Sequence, residues 1–267
     1  MELQERHGDV ERAGIAVFAV SYDPVPVLAS FAGRYGITYA LLSDGGSRVI
    51  RSLGLLNTHI EAQAAHYGKP FEEHHRGVPY PGTFMLDERG VVVEKRFEQS
   101  YRVRPQAAAL VEEWLTPDRA GSGVRATART HELAVTAWVS QATYRPYQRL
   151  ELRLDLAVGS GLHVYGNPVP EGYTPLSVAI DPLESLEVAV PQWPEPRPFQ
   201  VAGLDERFVV HEGALRGTVP LFFARNLGCV ELVARLRYQA CSADECYPPG
   251  EVVLRLPLEG LENVRDR

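Results

Sequence analysis

Three cysteines occur in 267 residues, and two of them share one short run, Tyr238-Gln239-Ala240-Cys241-Ser242-Ala243-Asp244-Glu245-Cys246-Tyr247-Pro248-Pro249. Thiols this close can close a disulfide, exchange one with a partner, or share a metal. As a staple the pair is weak. A loop of about six residues contributes about 2 kcal/mol in the chain-entropy picture, against nearly 5 for a loop of about a hundred. A metal would need two further ligands, and the flanks offer only the carboxylates Asp244 and Glu245. A bond that opens and closes suits the placement best, because exposure and a short loop favour a labile disulfide. An inert hairpin disulfide and two reduced thiols are the alternatives. Cys229, in Asn226-Leu227-Gly228-Cys229, reads as a small buried side chain at a strand start.

The flanking pattern positions the pair. Leu232, Ala234, Leu236 and Tyr238 alternate with Glu231, Arg235, Arg237 and Gln239, the period of a half-buried strand. Val252, Leu254, Leu256 and Leu258 repeat it. Ser242 to Glu245 reads as a four-residue hairpin turn, which sets Cys241 opposite Cys246 at the hairpin mouth. Facing residues have Cα atoms about 4.5–5.5 Å apart, within disulfide reach. Parity places Cys241 with Arg237 and Gln239 on the more exposed face. Pro248-Pro249 breaks the count for Cys246.

The bulk numbers set bounds. With 45% apolar and 23% charged residues, the chain can build real cores and is not broadly disordered. A net charge of −7 and no basic stripe argue against nucleic acid. No apolar run reaches the ~18 residues of a membrane span. The start Met1-Glu2-Leu3-Gln4-Glu5-Arg6 carries no secretory signal, so the chain as written reads as cytoplasmic. An extracytoplasmic site is expected if the natural N-terminus is longer, since most cytosols keep thiols reduced.

The two halves differ in grammar. The first alternates strand and helix patterns. Glu2 to Ala13 is helix-like, and Ile15 to Val20 is an apolar run suited to a buried strand. Pro24 to Tyr35 predicts a helix with Asp23 as cap. Tyr39–Leu42 predicts a strand and Ser47–Leu53 a short helix stopped by Gly54. Thr83–Leu86 and Val91–Phe97 predict a hairpin, and Arg104–Leu115 an amphipathic helix. Pro117-Asp118-Arg119-Ala120-Gly121-Ser122-Gly123 reads as a linker. Beyond it, alternating runs recur about every ten residues between Pro/Gly turns: 133–139, 150–156, 162–165, 176–180, 186–190, 208–210 and 219–223. That spacing predicts an antiparallel β-sandwich.

Val20-Ser21-Tyr22-Asp23, Leu41-Leu42-Ser43-Asp44, Gly54-Leu55-Leu56-Asn57 and Pro79-Tyr80-Pro81-Gly82-Thr83-Phe84-Met85-Leu86-Asp87 resemble the AhpC/TSA peroxiredoxin (redoxin) branch of the thioredoxin superfamily. The resemblance implies an α/β thioredoxin-like fold, with Pro81 at the position of a cis proline facing the active site. The reactive cysteine of that family follows the first strand, and no cysteine here precedes Cys229. The first strand and its cysteine are therefore expected to be missing; either Met1 is internal to a longer reading frame, the favoured reading, or this is a degenerate redoxin domain.

Gly161-Leu162-His163-Val164-Tyr165, Pro191-Gln192-Trp193-Pro194, Val219-Pro220-Leu221 and the cysteine run resemble the N-terminal domain of the thiol:disulfide interchange protein DsbD. The resemblance implies an immunoglobulin-like sandwich whose exchanging pair is Cys241 and Cys246. It implies an aromatic neighbour at Tyr165 and a cap loop within Trp193–Asp205. Phe199 is the candidate shielding aromatic, with a plain core role as the alternative.

The expected organisation is thus a redoxin-like domain over residues 1–116, a linker over 117–123 and a DsbD-like sandwich over 124–267. The expected function is thiol–disulfide exchange through Cys241–Cys246. A thioredoxin-like or redoxin thiol partner is implied, with a membrane electron donor as a further candidate, and no cofactor. Asp244 and Glu245 should raise the thiol pKa values slightly, so fast attack would need a docked partner. The rival reading is a non-catalytic interaction module with a structural disulfide. His59, His66, His74 and His75, with Glu72 and Glu73, crowd a polar stretch that reads as an insertion loop, but their spacing fits no single helical face and a metal is not expected there.

Overall fold

The computed structural model describes residues 2–100, 102–105, 123–139, 141–200, 206–243 and 245–263. The chain divides into two compact units, Met1–Arg119 with Val264–Arg267, and Ala120–Asn263. Most of the expected helix after Arg104, and the expected linker up to Ser122, fall outside the described residues. Arg104–Pro105 itself is extended.

The first unit opens with the helix Glu2–Arg12. The strand Phe18–Ser21, the helix Val25–Tyr35 and the strand Ala40–Ser43 follow, the two strands pairing in parallel. Pro24, not Asp23, takes the N-cap position, and no side chain caps that end. The Asp23 carboxylate instead accepts a hydrogen bond from the Ser21 hydroxyl. The next short helix, Arg48–Ser52, is better prepared. The N–H groups of Val49 and Ile50 donate to the two oxygens of Asp44 at 3.1 and 2.8 Å. Gly54, with φ +70°, follows its end in the left-handed conformation glycine favours. A hairpin of Gly82–Leu86 and Val92–Phe97 completes the unit's sheets.

Three further expectations fail in this unit. The run ending at Val20 is not a buried strand. Phe18 is 64% exposed, Val20 51% and its register partner Leu42 46%. Among the described residues the strand pairs with one neighbour, and its apolar residues gain little burial. The Tyr80–Pro81 bond is trans; the cis peptide among the described residues is Asn167–Pro168. Pro81 continues an extended segment whose C=O accepts the N–H of Glu98 at 2.9 Å. The histidine-rich stretch is not a plain loop: Ile60–His66 is a helix and Glu73–Gly77 a 3₁₀ turn. His74 and His75 both meet Glu72, with their rings 4.1 Å apart, while His59 has a different partner. His59 Nδ1 lies 2.7 Å from the Tyr80 hydroxyl, and His75 Nδ1 accepts the N–H of Glu72 at 3.0 Å.

The second unit is rich in strands, close to where the alternation placed them. One sheet runs Ser177–Ile180, Cys229–Tyr238, Gly250–Gly260 and Thr143–Tyr144. The other sets Leu186–Val188, Ala214–Phe223, Gln148–Val158, Leu133–Trp138 and Arg125–Arg129 side by side. Leu150, Leu152, Leu154 and Leu156 from this second sheet meet Leu232, Leu236, Leu254 and Leu256 from the first in one buried cluster. Each such side chain contributes about 1.5–3 kcal/mol by leaving water, which is why this core holds the unit. The first half of Ala214–Phe223 escaped the pattern because Gly217 interrupts it. A Cβ there would lie 2.3 Å from the Trp193 ring, so glycine is what lets the indole close over the strand. A third, small sheet, in the order Arg197–Gln200, Arg207–Glu212, His163–Tyr165 and Ala240–Cys241, carries the cysteines.

Candidate functional site

The cysteine hairpin begins where a strand changes sheets. Up to Tyr238 the chain pairs with Gly250–Gly260. Beyond Gln239 it pairs instead with His163–Tyr165, in the register His163↔Cys241 and Val164↔Ala240. The Gln239 side chain braces the crossing, accepting the N–H of Thr174 at 3.0 Å and donating to the C=O of Tyr247 at 3.2 Å. Parity holds only within one sheet, so the expectation that Cys241 shares the exposed face of Arg237 is wrong. Cys241 is 1% exposed. Cys246, whose direction the prolines obscured, is exposed.

The turn closes as the spacing predicts. The N–H of Ser242 donates to the C=O of Glu245 at 2.7 Å, and that of Tyr247 to the C=O of Ala240 at 2.9 Å. Cys241 and Cys246 form a disulfide, with Cα atoms 4.0 Å apart. Asp244 lies outside the described residues. Cys229 is a free, exposed thiol at the edge of its strand, not the buried side chain expected from the sequence.

An aromatic group surrounds the disulfide. The Tyr165 hydroxyl lies 3.2 Å from Cys241 Sγ and 3.3 Å from Cys246 Sγ, so one O–H faces both sulfurs. The Tyr165 ring sits 5.2 Å from both Tyr173 and Phe208. Burial, with smaller contributions from Tyr173 and Glu206, pushes the Tyr165 pKa up, which keeps its proton available for donation. Phe199 packs partly buried against this group, its ring tilted 46° to that of His163 with centroids 4.4 Å apart. It stands in the regular strand Arg197–Gln200; residues 201–205 of the expected cap are outside the described residues. The fold therefore brings Cys241, Cys246, Tyr165 and Phe199 together, whereas Pro81 belongs to the first unit. His163, Tyr173 and Phe208 are members the sequence did not single out. His163 was visible in the Gly161–Tyr165 motif, two residues from Tyr165 and so on the same strand face. Nothing in the spacing marked the other two.

The short hairpin thus holds a disulfide between a buried and an exposed cysteine, under a phenol. Residues 1–95 match the AhpC/TSA family model, and residues 133–257 match that of the thiol:disulfide interchange protein DsbD, N-terminal. Both matches and the cysteine pair support thiol–disulfide redox function in general. No curated protein matches. Among solved structures, the N-terminal periplasmic domain of ScsB from Proteus mirabilis is 16% identical, with TM-score 0.38, and the match covers 51% of each chain. The reduced DsbD N-terminal domain of Neisseria meningitidis is 15% identical, with TM-score 0.31, covering 54% of this chain and 94% of that one. The GAE domain of GGA2p from Saccharomyces cerevisiae is 10% identical, with TM-score 0.32, covering 50% of this chain and 97% of that one. This chain thus spans about half the length of the ScsB domain. No helix among the described residues is long and apolar enough to cross a membrane.

Proposed function

We propose that this protein passes electrons by thiol–disulfide exchange through Cys241 and Cys246. The observation that carries the reading is the asymmetry of the pair, with Cys246 exposed and Cys241 buried, under a Tyr165 hydroxyl that faces both sulfurs. A partner thiolate attacks Cys246 Sγ, the S–S bond breaks, and its electron pair leaves on Cys241. Tyr165 donates its hydroxyl hydrogen bond to the emerging thiolate. A second partner thiol then displaces Cys246 from the mixed disulfide. Two electrons have passed from the partner dithiol, and the reverse sequence returns them. A thioredoxin-like or redoxin protein fits the partner role, and a membrane electron donor is the other candidate.

On this reading residues 1–116 are a redoxin-type, thioredoxin-like unit, 117–123 a linker and 124–267 an immunoglobulin-like exchange domain. Residues 1–116 hold no cysteine, so the proposed exchange uses only the pair in the second unit. The burial of Cys241 favours one rival, an interaction module with a structural disulfide. Equilibration with glutathione or dithiothreitol buffers separates the two. A reduction potential above about −300 mV, with a Cys241→Ser variant that traps a mixed disulfide on Cys246, is the expected result. A potential below about −300 mV would assign the bond to structure.

A further inference from the structure

A line of three side chains crosses three neighbouring strands beneath Phe199. His163 is the register partner of Cys241 on one side and of Glu212 on the other. Directly opposed residues project to the same sheet face with Cβ atoms about 4.5–5.5 Å apart. The order Cys241, His163, Glu212 is that of a thiol, a base and a group that orients the base. His163 is 5% exposed, and Glu212 is itself ion-paired with Arg197. Among the described residues, the charged and titratable groups around the imidazole are Glu212 and Arg197 on the strands beyond it, Tyr165 on its own strand and Cys241.

Resting on the exchange reading above, we propose that His163 is the acid–base residue of the Cys241 thiol, held in place by Glu212. When the reduced protein donates electrons, the Cys246 thiolate attacks a partner disulfide and one partner thiolate leaves. The neutral His163 ring then takes the proton from Cys241. The Cys241 thiolate attacks Cys246 Sγ, and the Cys246–partner bond breaks with its electron pair on the partner sulfur, which takes up a proton. In the opposite direction the imidazolium protonates Cys241 as it leaves. Burial holds the His163 pKa below the ordinary imidazole value, with Glu212 opposing and Arg197 adding to the shift, so the ring is an available base at neutral pH.

The test uses the whole reduced chain with Cys229→Ser, which removes the exposed third thiol, and the chromogenic disulfide 5,5′-dithiobis(2-nitrobenzoate). Attack by Cys246 releases a first thionitrobenzoate, and ring closure by Cys241 releases a second. His163→Phe is expected to slow the second release at least about tenfold at pH 7 and to leave the first within about twofold. It should also remove the break that the second phase shows below the ordinary imidazole pKa, leaving only the thiol titration near about 8.5. An unchanged second phase with an unchanged pH profile overturns the proposal. If His163→Phe fails to fold by circular dichroism, Glu212→Gln decides. Glu212 raises the His163 pKa, so a break moved to lower pH supports the proposal and an unmoved break overturns it. A parent chain that releases only one equivalent overturns the exchange reading itself, and the proposal with it.

Discussion

Val20 and Leu236 are both apolar residues inside strands, one in each unit, and their fates are opposite. Leu236 is fully buried between two sheets, while Val20 is 51% exposed on a two-stranded one. The second unit gathers a continuous core from both of its large sheets. In the first, Phe18, Val20, Val27, Phe31, Leu42 and Leu53 remain exposed. Similar strand chemistry thus yields different burial, because burial needs a second layer and not only a partner strand. The thiol chemistry follows the same division: all three cysteines lie in the better-packed unit.

The largest test of this contrast is a core deletion. Leu236→Ala should destabilise the second unit by about 2–5 kcal/mol, the usual cost of such a cavity, read by denaturant unfolding. A loss below about 1 kcal/mol would mean that the sandwich core is looser than its burial shows.

Hydrogen exchange compares the units within one sample. The amides of Leu232–Tyr238 should open only near the global unfolding free energy, and those of Phe18–Ser21 well below it. Equal protection in the two strands, in a monomer, would show that the exposed face of the first unit is covered in solution.

Asp44 supplies a pH test confined to the first unit. Hydrogen bonds from the N–H of Ile50 foremost, then Val49 and Arg48, hold its carboxyl below the usual carboxylate range. Its folded pKa lies below the unfolded one. The stabilisation is therefore present above the unfolded pKa of about 3.9 and lost as pH falls through the folded value. Asp44→Asn should speed exchange at the Val49 and Ile50 amides at neutral pH, and the gap from the parent should close in acid. A gap that persists at low pH would tie the effect to the lost geometry, not to the charge.

The smallest effect belongs to the exposed face. Val20→Ser should change stability by no more than about 0.5 kcal/mol, as surface substitutions do. A loss of several kcal/mol would reveal a covering layer.

Much of this protein was legible in its sequence because alternation and turns are local. The hairpin of Gly82–Leu86 and Val92–Phe97, the strand Gln148–Val158 and the turn between Cys241 and Cys246 all lay where apolar period and turn residues placed them. The pairing of the two cysteines needed only their spacing across that turn. What the sequence could not fix was every property set by contacts distant along the chain. The apolar run ending at Val20 looked buried because its composition reports what it would bury, not whether a layer exists to receive it. Arg197–Gln200 was hidden because its pairing with Arg207–Glu212, not its own period, makes it a strand. The burial of Cys241 was decided two residues earlier, at Gln239, where the chain passes from one sheet to another. Side-chain parity follows the pleat of a single sheet, and only the tertiary structure shows where one sheet ends and the next begins.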